Sequence, residues 1–162
     1  KRIKKNTFLK FKTPEGRGDI SRVKFKNKNI VVVDESYNSN PLSLKVAIEN
    51  FDNIKLNKSK KYLILGDMLE LGKHSIKQHR LISKIINKTK INKVYVYGKH
   101  IKETFKGLNT NKKAKILDDK SKILELVNKV FRNNDHIMIK GSNSTGLNEI
   151  TNKLKERNLN AL

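Results

Sequence analysis

The sequence predicts an α/β fold: a mostly parallel sheet of about six strands, one of them an antiparallel edge strand, with helices on both faces. Three observations carry this. Short runs of Val, Ile and Leu recur along the chain, nearly continuous in hydrophobicity, as strands buried on both faces are. Between them lie segments whose apolar residues fall at helical spacing, the alternation that builds βαβ units. Near the start, two runs follow one another across a short polar break, which reads as a hairpin.

Residues 1–15 are basic and run into Thr13-Pro14-Glu15-Gly16, a connecting segment closed by a turn. The domain division is therefore a linker over 1–18 and one folded unit over 19–162. Ile20, Val23 and Phe25 mark a strand over 20–26, Asn27-Lys28-Asn29 the turn, and Ile30-Val31-Val32-Val33 the start of a second strand over 30–34. Further strands are expected at 62–65, 94–97, 114–117 and 136–139, with helices at about 42–51, 76–87, 101–105, 120–131 and 147–157. Leu44, Ala47, Ile48 and Phe51 form one apolar stripe, and Ile123, Leu124, Val127, Val130 and Phe131 another; both read as core faces.

The chain has no cysteine, which excludes disulfides, thiolate catalysis and cysteine metal sites. No apolar run approaches the ~20 residues of a membrane span, so a cytoplasmic protein is expected. The first residue is Lys1 rather than Met, which suggests a piece of a longer protein. Net charge is +22, from 37 Lys+Arg against 15 Asp+Glu, a field that attracts polyanions. The lysines are scattered among Asn and Ile, however, and the four Tyr and six Phe form no stacking platform. A basic nucleic-acid-binding module stays as the alternative reading.

In an open parallel sheet, ligands bind beyond the carboxyl ends of the strands, where loops and helix N-termini converge. Four of the predicted strand ends carry polar or glycine-rich loops. These are Asp34-Glu35-Ser36-Tyr37-Asn38-Ser39-Asn40-Pro41, Gly66-Asp67-Met68-Leu69-Glu70-Leu71-Gly72, Gly98-Lys99-His100 and Lys140-Gly141-Ser142-Asn143-Ser144. Each alone could be turn or cap chemistry; together they place acids, amides, a tyrosine, a lysine and hydroxyls on one rim.

Other signatures fail. Gly72-Lys73-His74 and Gly98-Lys99-His100 lack the upstream glycine and the following Ser or Thr of a P-loop. His74 and His79 are five residues apart, not at the spacing that aligns metal ligands on a helix, so no metal site is assigned. No serine lies in a nucleophile elbow. No catalytic residue is named.

Five motifs nevertheless occur in a recognisable order: Gly16-Arg17-Gly18, the run from Asp34 to Pro41, Leu65-Gly66-Asp67-Met68-Leu69-Glu70-Leu71-Gly72 with His79 downstream, Tyr97-Gly98, and Lys140-Gly141-Ser142-Asn143-Ser144. Over about residues 16–154 the chain resembles the C-terminal, Rossmann-like domain of the Mur ligases, among them the UDP-N-acetylmuramoyl-tripeptide:D-alanyl-D-alanine ligases of peptidoglycan synthesis. The resemblance implies a three-domain enzyme in which residues 1–18 end a central P-loop ATPase domain that binds most of the ATP and Mg²⁺. It implies that Arg17 and Glu35 hold the ATP ribose, and that Tyr37, Asn38, Asn40 and Leu69 line the dipeptide end of the cleft. Lys140 and Ser142 are implied to meet the dipeptide carboxylate or a phosphate. The implied partners are UDP-MurNAc-tripeptide, D-alanyl-D-alanine and the central domain, and this piece by itself is expected to be inactive. Glu35 stands where Asp is frequent in the family, while Leu42 and Leu147 read as packing changes.

Overall fold

The computed structural model describes residues 16–25 and 27–159. Among them, six strands form one sheet: β1 (Asp19–Phe25), β2 (Lys28–Glu35), β3 (Lys61–Gly66), β4 (Lys93–Tyr97), β5 (Lys113–Leu117) and β6 (His136–Lys140). The helices are α1 (Pro41–Asn53), α2 (Ser75–Asn87), α3 (Lys102–Lys106), α4 (Lys122–Lys129) and α5 (Leu147–Leu159), with 3-10 turns at Gly72–His74 and Asn143–Thr145. Most of the expected linker lies outside the described residues.

Spatial order is β1-β2-β6-β3-β4-β5. Only β1 runs antiparallel, against β2; the other pairs are parallel. The expected turn over 27–29 is tighter than its sequence suggests, because Lys28 and Asn29 pair with Phe25 and Lys24 as strand residues. The expected helix over 120–131 shortens to α4. Asp119 Oδ1 accepts the Ser121 N–H in a local turn that delays its start, and Val130 lies beyond its end, 41% exposed.

The sheet is covered on both sides, as its unbroken apolar strands require. On one face Leu44, Ala47, Ile48 and Phe51 of α1 and Ile82 and Ile86 of α2 pack on Val33, Leu63, Leu65, Val96 and Met138. On the other, Ile123 and Val127 of α4 and Leu147, Ile150 and Leu154 of α5 pack on Val32, Ile64, Ile137 and Ile139. Phe131, just past α4, stacks on Tyr62 at 4.6 Å between ring centroids and meets Tyr95 edge-on. Leu147 is a packing residue as expected: it fills the space beside Gly66 and Gly141, where a Cβ would come within 2.8 and 3.0 Å of its Cδ1. Leu42 is not, being 71% exposed.

This topology positions the site. The chain passes from β2 to β3 across the place that β6 later fills, so the sheet order switches there. The loops after β2 and β3 lead to helices on one face, and the loop after β6 leads to α5 on the other. Loops that part in this way leave a crevice at the strand ends.

Candidate functional site

The loop after β2 is built by short-range hydrogen bonds. Buried Asp34 accepts both the Ser36 N–H, at 3.0 Å, and the Ser36 hydroxyl, at 2.6 Å, on Oδ1, which turns the chain sharply at the strand end. Asn38 Oδ1 accepts the Ser39 N–H at 2.7 Å. Asn40 is the N-cap of α1: its Oδ1 accepts the Ser43 N–H at 2.8 Å while Ser43 Oγ accepts the Asn40 N–H at 3.1 Å, a capping box followed by Pro41. Tyr37 is left 46% exposed on the rim.

Residues 16–18 lie against this loop. Gly16 has φ +76°, its carbonyl accepts the Tyr37 N–H at 3.1 Å, and a Cβ there would lie 2.9 Å from that nitrogen, so only glycine fits. The Gly18 N–H donates to the Asp34 carbonyl at 2.8 Å. Between them the Arg17 guanidinium stacks over the Tyr37 ring at 4.4 Å. Glu35 sits beside Gly18, its side chain 24% exposed.

The loop after β6 stitches its neighbours together. Lys140 is paired in register with Glu35 on one side and Leu65 on the other. Its buried ammonium donates to the Asn38 carbonyl at 2.9 Å and lies 3.4 Å from Glu35 Oε2. Burial lowers its pKa below the ordinary lysine value, and the Glu35 carboxylate opposes that shift. Ser142 Oγ accepts the Leu69 N–H at 2.9 Å and donates to the Ser39 carbonyl at 3.3 Å, joining the loops after β2 and β3.

The loop after β3 is anchored from below. Asp67 accepts the Lys99 and Ile101 N–H groups at 3.0 and 2.7 Å, and Gly98 must be glycine because a Cβ would sit 2.6 Å from Asp67 Cγ. His79, fully buried on α2, accepts the Met68 N–H on Nε2 at 3.1 Å and donates from Nδ1 to the Ser75 carbonyl at 2.8 Å. The histidine of the third motif is therefore a loop support. Among the described residues no three His, Asp or Glu side chains gather to hold a metal ion.

Together these loops enclose a polar cleft of about 500 Å³ lined by Tyr37, Asn38, Leu69, Ser142, Asn143 and Asn148, among others. Four of the expected site residues, Tyr37, Asn38, Leu69 and Ser142, are thus brought together. Asn40 and Lys140 are not among its walls: the first caps α1 and the second holds the Asn38 carbonyl from behind. Arg17 stacks on Tyr37 of the cleft wall, and Glu35 lies beside Gly18. Asn148, Glu149 and Lys120 also line the cleft, and Lys120 pairs with Glu149 at 2.9 Å. They come from α5 and from the Asp118-Asp119-Lys120-Ser121 turn before α4, a polar strand end not expected on the rim.

Comparison with known proteins bears on the family and the fold. Residues 20–143 match the family model described as Mur ligase, glutamate ligase domain. A UDP-N-acetylmuramoyl-tripeptide--D-alanyl-D-alanine ligase from Buchnera aphidicola subsp. Acyrthosiphon pisum is 32% identical over 128 residues, 78% of this chain and 27% of that protein. The Bacillus subtilis protein of the same name is 31% identical over 133 residues, 80% of this chain and 29% of its own. The chain thus spans little more than a quarter of these relatives' length. The crystal structure of the MurF ligase from Thermotoga maritima in complex with ADP superposes with a TM-score of 0.72 at 21% identity, covering 94% of this chain and 33% of that one, which shows the same fold. The chain belongs to the Mur ligase family, of which it carries the glutamate ligase domain.

Proposed function

We propose that this chain is the C-terminal domain of an ATP-dependent ligase that joins D-alanyl-D-alanine to UDP-MurNAc-tripeptide in peptidoglycan precursor synthesis. The observation that carries the reading is the convergence of Tyr37, Asn38, Leu69 and Ser142 in one cleft, beside Arg17 and Glu35. The names of the curated relatives supply the substrates. The alternative of a nucleic-acid-binding module rests on net charge alone and finds no support among the relatives.

In this reading Glu35 and Arg17 take the ribose of ATP. A half-buried carboxylate accepts from two hydroxyls, and a guanidinium donates beside it. The exposed edge of Tyr37, the Asn38 amide and Leu69 face the dipeptide. Lys140, Ser142 and Asn40 act behind them by fixing the loops, with Ser142 Oγ also on the cleft wall. The residues here suit the ribose and do not by themselves fit Mg²⁺; the metal and the triphosphate are assigned to a central domain of the same protein. Activation of the tripeptide carboxylate by ATP, and attack by the dipeptide amine, then take place where the two domains meet. The domain's contribution is positioning and exclusion of water. We place the enzyme in the cytoplasm and expect this chain alone to be inactive.

Arg17→Ala in the full-length ligase tests the proposal. The KM for ATP is expected to rise about tenfold, the loss of one charged hydrogen bond. ADP release at unchanged KM and kcat, with both peptide substrates present, removes Arg17 from the nucleotide site.

A further inference from the structure

The carboxyl groups of Asp19 and Asp34 stand on directly opposed residues of β1 and β2. Two like charges in that relation repel and push the strands apart unless a cation lies between them. Lys155 of α5 supplies it. Its Nζ donates to Asp34 Oδ2 at 2.7 Å and lies 3.6 Å from Asp19 Oδ2. Thr151, one turn earlier on the same helix face, meets the Ser36 hydroxyl at 3.2 Å. Burial alone would lower the ammonium's pKa, yet the hydrogen bonds and charges of Asp34 and Asp19 raise it above the ordinary value, so it stays charged.

The same two aspartates carry the anchors of residues 16–18. Asp19 Oδ2 accepts the Gly16 N–H at 3.2 Å, the Asp34 carbonyl accepts the Gly18 N–H at 2.8 Å, and the Gly16 carbonyl takes the Tyr37 N–H. Arg17 is suspended between these bonds and stacks on Tyr37 as their consequence. We propose that Lys155 is a positioning residue that holds Arg17 over Tyr37 by neutralising the Asp19–Asp34 pair. It touches no part of the cleft. It also lies outside residues 20–143, the extent of the family match. Its effect on catalysis rests on the nucleotide role proposed above for Arg17; its effect on the position of Arg17 does not.

Two measurements separate these. In this chain, the Arg17 side-chain protons over the Tyr37 ring should show an upfield ring-current shift in the NMR spectrum. Lys155→Met should abolish that shift while the core amide resonances stay dispersed, and Lys155→Arg should keep it. If Lys155→Met fails to fold, adding Asp19→Asn removes the repulsion; a folded double variant that regains a fixed Arg17 supports the proposal. Arg17 still shifted in folded Lys155→Met overturns it. In the full-length ligase, Lys155→Met should raise the KM for ATP about tenfold with kcat within twofold. Combining it with Arg17→Ala should be no worse than Arg17→Ala alone. Multiplicative effects of the two changes overturn the proposal, whereas a silent Arg17→Ala with the NMR shift lost refutes only the nucleotide reading.

Discussion

Acidification should loosen the cleft through His79, a residue that never touches it. The imidazole is fully buried, and burial lowers its pKa from the ordinary 6.5, opposed by the hydrogen bond to the Ser75 carbonyl and the charge of Asp67. The folded chain therefore keeps it neutral at a pH where the unfolded chain has begun to protonate it. Between pH 6.5 and the lower folded pKa the unfolded state binds the extra proton, so stability falls as pH falls. The linkage is bounded at pH 5.5 by about 1.4 kcal/mol, the free energy of protonating the unfolded imidazole alone. Once the pH falls below the folded pKa, the ring protonates in place and loses its acceptor for the Met68 N–H, which releases the loop carrying Leu69. Urea unfolding of the chain at pH 7.5 and 5.5 measures the loss. His136, whose pKa is likewise lowered by burial, adds to the total, so the comparison is with His79→Gln. That variant should be less stable at pH 7.5 but lose less on acidification, by up to about 1.4 kcal/mol. Parallel pH dependences in the two proteins would refute the reasoning.

Three further outcomes are expected. Gly98→Ala forces a side chain into φ +135° and against Asp67, combining backbone strain of about 1–3 kcal/mol with disruption of charged hydrogen bonds worth a similar amount, so the urea midpoint should drop sharply. An unchanged midpoint would contradict the contact. Asn40→Ala should cost about 1 kcal/mol through loss of the α1 cap, while Asn40→Asp, which keeps an acceptor, should cost far less. Equal losses would point to a role other than capping. Lys140→Met removes the donor to the Asn38 carbonyl and should destabilise by about 1.5–3 kcal/mol, with the Ser39 N–H of the same peptide group, which donates to Asn38 Oδ1, exchanging faster by hydrogen exchange. Retained protection at the Ser39 N–H would show that the loop stands without it.

Much of the fold was legible because its signals are local. The apolar runs around Ile30 to Val33 and Leu63 to Leu65 could only be strands buried on both faces, and the stripe of Leu44, Ala47, Ile48 and Phe51 could only be a helix face. The errors came where short-range polar chemistry competes with periodicity. Asp119 and Ser121 form a turn that removes the first residues from the expected fourth helix, and Lys28 and Asn29 look like a turn but pair as strand. Leu42 looks like a packing residue but faces solvent in the first turn of α1.

The sequence by itself determined the layer architecture, the polar rim and its motif order, because strand and helix periods, glycines and caps depend on neighbours within a few residues. The strand order lay beyond it. Which strand fills the gap between β2 and β3 depends on the return of a chain segment about a hundred residues later, and that return creates the crevice. Tertiary structure also divided the rim residues by task. It turned Asn40 into a cap, drew Lys140 and His79 behind the loops, and placed Asn148 on the wall. It alone brought Lys155 between two aspartates on opposed strands, since electrostatics acts through space and ignores the 121 residues separating Lys155 from Asp34.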